Sequence, residues 1–185
     1  MKNQEIKKNP DFLEYVMQLN RDRDLYEALT LSLKQVDELD IAQLKRIGHQ
    51  TYEENKWTLH KIFQHLIDWE RIWCFRTILF ARGEGTIPEA HDQEIMGKNS
   101  NADDLSIEQL LNELRVTRLS TMLMFESFDE KILETNCKFF EYEMQLNMIG
   151  LTITAHQIHH FNVIEERYLP LDGGNLNFPT LYSFR

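Results

Sequence analysis

The chain has 185 residues and carries 20 Lys+Arg against 30 Asp+Glu, a formal net charge of -10. The length fits one domain, and the acidic balance lacks the basic footprint that phosphate neutralisation needs, so nucleic acid is not an expected partner. Four Pro and seven Gly leave few breaks, which favours long helices over a many-turned β fold.

Residues 1–21 read as an N-terminal extension, with a short helix from Asp11 to Leu19 opened by Asn9-Pro10. A longer helix follows from Asp22 to Leu39, where Leu25, Leu29, Leu33 and Val36 stand at helical spacing. It is expected to run on irregularly toward Ile47. The polar stretch GHQTYEENK reads as a loop. A strong helix spans Trp57-Thr58 to Arg82 and is stopped by Gly83-Glu84-Gly85. The polar connection from Thr86 to Ser106 exceeds the usual loop length, so it is either functional or carries a helical turn of its own. Ser106 and Gln109 form a capping-box pattern that opens a helix to Phe128. Lys138 to Glu143 reads as a short extended piece. The last helix runs from Met144 to Leu169 and is ended by Pro170 and Gly173-Gly174. Residues 170–185 form a tail whose Phe178, Tyr182 and Phe184 imply packing on the bundle or on a partner. Four long helices with two long connections define an all-α four-helix bundle, one domain over residues 1–185.

No apolar run approaches the roughly 20 residues of a bilayer span, and no apolar stretch of signal-peptide type follows the charged start. The expectation is a soluble, cytoplasmic protein without membrane contact. Cys74 and Cys137 form no C-x-x-C and no disulfide framework. Cys74 lies in an apolar helical run and reads as a buried, reduced thiol.

The informative residues are the histidines. In A-H-Q-I-H-H, His156 and His160 are four apart, about 40° from each other around the helix axis. That spacing lets two imidazoles hold one divalent ion. Ile149, Ile153 and Val163 fall on the same face, so both rings sit in the core-facing stripe, with His159 at its other edge. On the Trp57–Arg82 helix, His65 shares a face with Thr58, Ile62, Trp69, Ile72 and Arg76. One inward histidine is ordinarily a core residue with satisfied bonds. Three from two core-facing stripes make a three-nitrogen site with open positions, the arrangement of a catalytic rather than a closed structural metal. Imidazole ligation suits Zn, Ni or Cu without selecting among them. His49, His60 and His91 read as surface residues.

Carboxylates near the stripe are candidates to orient a metal-bound imidazole through its other nitrogen: Asp68 and Glu70, and on the last helix Glu165 and Glu166. Each is equally well explained as a solvated or capping carboxylate. Trp69 reads as a cavity wall. Arg76 and Arg167 fall on the His stripes about three turns along, placed to pair with acids at a bundle end or to bind an anion. An H-E-x-x-H peptidase is excluded because Gln157, an amide, stands where that motif needs its general base.

The stretches KWTLHKIFQHLIDWERIWCFRTILFARGE, LLNELRVTRLSTMLMF and TAHQIHHFNVIEERYL resemble the DinB-like superfamily, in particular its YfiT-type branch of metal-dependent hydrolases. The resemblance covers about Trp57 to Leu169. It implies a four-helix bundle, often a homodimer, with a divalent metal held by His65, His156 and His160, the triple that the helix wheels single out. It also implies a hydrolase or an S-transferase acting on a small molecule with a low-molecular-weight thiol. Where this branch commonly carries Gly-His-Glu, the chain has Ala155-His156-Gln157, which puts catalysis in question but not metal binding. Three functions stay in play. One is a metal-dependent hydrolase or thiol transferase, with Zn or Ni activating a water or thiol. Another is a non-catalytic metal-binding helical dimer. The third is a regulatory partner that docks through its tail.

Overall fold

The structure is a computed structural model that describes residues 12–84, 91–139 and 142–173. The expected aromatic tail, the Asn9-Pro10-Asp11 helix start and part of the long connection lie outside the described residues. Eight helices are described: α1 Phe12–Asn20, α2 Leu25–Asp37, α3 Ile41–Ile47, α4 Leu59–Ala81, α5 Gln93–Asn99, α6 Ile107–Glu126, α7 Glu130–Leu133 and α8 Asn147–Val163. A two-stranded antiparallel hairpin, β1 Asn136–Phe139 and β2 Tyr142–Gln145, precedes α8, with Cys137 opposite Met144.

Helix starts follow side-chain caps. Asp24 accepts from the Tyr26 and Glu27 amides while Glu27 reaches back to the Asp24 amide. The Ser106–Gln109 box forms as its spacing predicts. Thr58 caps α4 by accepting from the Lys61 amide at 3.2 Å. Asp40 caps α3 separately, so the irregular run toward Ile47 is a distinct helix rather than an extension of α2. Each such cap contributes about 1 kcal/mol.

Four helices make the bundle. Leu25 meets Gly150 while Ser32 and Gln35 meet Gln157, so α2 runs parallel to α8. Arg71 pairs with Glu113 and Cys74 with Thr121, so α4 runs parallel to α6. Asp37 pairs with Arg115 and Tyr26 with the Phe125 carbonyl, which sets α2 antiparallel to α6. Tyr168 bonds the Trp57 carbonyl and His65 meets His160, which sets α4 antiparallel to α8. The order is therefore up, down, down, up. Two parallel neighbours, α4 and α6, need a long crossover, and that connection carries α5 and a 3-10 turn at Ala102–Asp104.

The core is two apolar clusters. One contains Leu29, Phe125 and Ile149, the other Leu44, Phe63, Leu110 and Ile164. Between them every bundle helix contributes buried polar groups: Ser32 and Gln35 from α2, Glu70 from α4, Thr117, Arg118 and Thr121 from α6, and Gln157 from α8. The segment expected as an N-terminal extension contributes α1 to the same body. Val16 and Leu19 are buried, and the Asn20 side chain donates to the Leu151 carbonyl at 2.9 Å and accepts from Thr154. The last helix begins three residues later than its periodicity predicts because Met144 and Gln145 belong to β2. After Val163 it continues as a π-helical turn, Ile164–Tyr168, and a 3-10 turn, Leu169–Asp172. No described helix is long and apolar enough to cross a membrane.

Candidate metal centre

The antiparallel α4–α8 pairing brings His65, His156 and His160 together. His156 and His160 share one face of α8 across a single turn, and His65 enters from α4. The Nε2 atom of His156 lies 3.0 Å from that of His65 and 3.1 Å from that of His160. The three ring centroids are separated by 4.8, 4.8 and 4.7 Å, with interplanar angles of 64°, 71° and 86°. The rings thus surround one point like propeller blades.

Hydrogen bonding alone does not satisfy this arrangement. An imidazole Nε2 has either one hydrogen or one lone pair. His156 Nε2 faces two other nitrogens, so at most one of those contacts is a full hydrogen bond. A cation at the shared point satisfies all three lone pairs. Metal–nitrogen bonds of about 2.0–2.1 Å require N···N separations of about 2.9 Å at right angles and about 3.3 Å in a tetrahedron. The observed 3.0 and 3.1 Å fall between them. The residues fit a divalent metal.

Electrostatics point the same way. Burial pushes the His65 pKa down to about 3. Burial, then the neighbouring His160 and His65 rings, hold His156 well below the ordinary imidazole value. Burial and His65 do the same for His160. All three are neutral at pH 7, the form that ligates. Trp57 and Trp73 wall the site, 4.9 Å from His65 and His156 respectively, and Trp69 stands 6.1 Å from His65. A shallow cleft beside His65 is lined by Lys61, Gln64, Asp68, Met96, Gly97 and Ser100.

The carboxylates separate. Asp68 lines that cleft, accepts from Gln64 Nε2 at 2.8 Å, and has its pKa raised by burial. Glu70 points into the bundle instead. Its oxygens accept from Arg118 Nε at 2.8 Å, Arg118 Nη2 at 3.0 Å and Thr121 at 2.7 Å, and it makes no hydrogen bond to the three imidazoles. Glu165 is half-buried, and Glu166 and Arg167 are exposed in the π-helical turn. Arg76 is buried. Gln157 turns toward α2, where its amide donates to the Ser32 carbonyl and to Gln35, both at 2.8 Å. Cys74 is half-buried, contacts Thr121 at 3.2 Å, and is pushed by burial to a pKa of about 11, so its thiol is not a nucleophile at neutral pH.

One histidine placement departs from expectation. His60 is 5% exposed rather than a surface residue, because the chain around His49 folds over the first turn of α4. His159 stands beside His160 at 5.1 Å, but its Nδ1 contacts the Tyr15 hydroxyl at 2.8 Å. That tyrosine comes from α1, and no motif in the sequence ties it to α8. His49 and His91 are exposed as expected.

Helical bundles build metal sites from side chains on facing helices, and this chain presents such a cluster. The profile of the DinB superfamily matches residues 18–164, and the chain belongs to that superfamily. The structure is similar to YfiT from Bacillus subtilis, described as a probable metal-dependent hydrolase with an unusual four-helix bundle topology. The similarity has a TM-score of 0.57 at 15% identity and covers 86% of this chain and 89% of YfiT. No functionally curated protein matches the chain.

Proposed function

We propose that the chain is a metal-dependent enzyme of the hydrolase or thiol-transferase type, with Zn or Ni held by His65, His156 and His160. The convergence of three neutral imidazoles, with His156 Nε2 3.0 Å from that of His65 and 3.1 Å from that of His160, carries this reading. A bound divalent ion supplies acidification of a water or thiol near neutral pH. The chain's own residues supply the rest. Trp57, Trp69 and Trp73 exclude water from one side of the site. Asp68, in the cleft beside His65, is the carboxylate placed to take a proton, and its raised pKa suits that role. Glu70 does not share the role, since Arg118 and Thr121 occupy its oxygens. The substrate is a small molecule, with a low-molecular-weight thiol as co-substrate in the transferase version. The protein works in the cytoplasm as a homodimer, in which a second copy covers apolar side chains such as Phe75, Val116 and Leu123 on the outer sides of α4 and α6.

Elemental analysis of the purified protein tests the site. One divalent ion per chain is expected, and its loss in the His156→Ala/His160→Ala variant. An unchanged metal content in that variant would show the site to be wrong. A second reading, a non-catalytic metal-binding dimer, is favoured by Gln157, which stands where the family branch commonly carries Glu and is engaged with Ser32 and Gln35 of α2 instead of the site. A thiol-transfer assay on an electrophilic aryl substrate, with and without metal, separates the two. Metal-dependent turnover rejects the non-catalytic reading.

A further inference from the structure

A second group of ligating atoms lies apart from the three-histidine centre. His49 follows Gly48, which takes a positive φ of 56° at the end of α3. His60 lies in the first turn of α4, and Asp103 in the 3-10 turn of the crossover. One donor atom from each lies within 4.8 Å of the other two. His60 is buried, its ring stacks on His49 at 4.3 Å and 15°, and its Nδ1 has no hydrogen-bond partner.

An ion pair between a protonated His49 and Asp103 explains part of this, since His49 Nδ1 is 3.6 Å from Asp103 Oδ1. It leaves the buried His60 Nδ1 without a partner, although a buried polar atom is ordinarily satisfied. It also places a charged imidazole flat against another imidazole. The remaining groups act on the carboxylate. Thr58 donates to Oδ1 at 2.6 Å, and Lys61 Nζ stands 3.3 Å from Oδ2. These two contacts fix the orientation of Asp103, as outer partners of metal-ligating carboxylates do.

We propose that His49, His60 and Asp103 form a second divalent-cation site, selective for ions of the Zn2+ type. Two imidazoles and one carboxylate are a Zn2+ donor set, with a fourth position left for water. His60 is the fixed ligand. His49 is exposed on a loop and turns inward to close the remaining distance. The Lys61 charge opposes the ion, so this site fills after the three-histidine centre. The ion would join the α3–α4 connection, the start of α4 and the crossover. The crossover also supplies Met96, Gly97 and Ser100 to the cleft beside His65, so a filled second site holds one wall of that cleft in place.

The test is calorimetric titration of Zn2+ into the metal-free full chain. Wild type, His49→Gln, Asp103→Asn and His156→Ala/His160→Ala are compared, each checked for folding by its melting curve. Wild type is expected to bind two ions. His49→Gln and Asp103→Asn should each weaken the lower-affinity event roughly tenfold or more and leave the tighter one unchanged. His156→Ala/His160→Ala should keep the lower-affinity event. A wild-type isotherm with no event that either His49→Gln or Asp103→Asn weakens overturns the proposal. Failure of the three-histidine reading has a different signature, in which His156→Ala/His160→Ala leaves the whole isotherm intact.

Discussion

Glu70 and Arg118 are the most thoroughly buried charged pair among the described residues, at 2% and 1% exposure. The guanidinium donates two bonds to the carboxylate, a third contact goes to Ser32, and Thr121 donates to the same carboxylate. The pair sits in the polar layer that separates the two apolar clusters, and the Arg118 cation adds a small share to the lowering of the His156 pKa that burial dominates. Removing one partner leaves the other charged and dry. Arg118→Met is therefore expected to cost about 3–5 kcal/mol, read as a shift in the urea denaturation midpoint. The joint variant Glu70→Leu/Arg118→Met removes both charges and should recover most of that loss, because a matched apolar pair of similar volume is often neutral. If the joint variant is as unstable as the single one, the layer's remaining hydroxyl and amide groups, not the ion pair, hold it together.

Helix starts and faces were readable because their causes are local. Thr58, Ser106 and Gln109 are caps whose partners lie within three residues. The i, i+4 spacing of His156 and His160, with His65 on a second apolar stripe, likewise needs only helical periodicity. Features that depend on which helices are neighbours were not readable. Glu70 reads from sequence as a possible partner of the His face, and only the parallel placement of α6 reveals Arg118 opposite it. His60 reads as a polar-face residue because nothing periodic announces that the loop carrying His49 covers it. The crossover is intermediate: its length signals either function or a helical turn of its own, yet nothing local announces that Met96, Gly97 and Ser100 reach the cleft beside His65. A Cβ on Gly97 would stand 3.0 and 3.1 Å from atoms of the Trp57 indole, and that indole packs 4.9 Å from His65. Gly97→Val should therefore lift α5 from the tryptophan or drive the ring toward His65. A loss of about 1–3 kcal/mol is expected, with weaker Zn2+ binding and a shifted tryptophan emission. Unchanged emission and metal affinity would mean that α5 does not set the wall of the site.

The whole molecule combines these local terms in its response to acid. In the unfolded chain each imidazole binds a proton near pH 6.5. In the fold His65 does so only near pH 3, and His156 and His160 are likewise held well below the ordinary value. His60 and His159 are shifted the same way by burial. Below pH 6.5 the unfolded state takes up protons that the metal-free fold refuses, so stability is full above that pH and declines as the pH falls toward 3. The carboxylates act lower. Asp103 and Asp172, depressed below their usual value, lose their stabilising share only under about pH 4, while Asp68, whose pKa is raised, contributes with the opposite sign. The arm of the stability curve between about pH 6.5 and 4.5 thus belongs to histidines. His156→Ala/His160→Ala should flatten it, as measured by denaturant midpoints across that range. The same neutrality governs loading. Three ordinary imidazoles would release protons on binding a metal at pH 7, whereas these three have almost none to release. At about pH 6, where a Zn2+-bound water with a pKa near 7 keeps most of its protons and ordinary imidazoles would still carry theirs, Zn2+ titrations into the three-histidine centre in two buffers of different ionisation enthalpy should therefore give nearly the same heat. A large buffer dependence would mean that the imidazoles carry protons in the fold, and that burial does not hold them neutral.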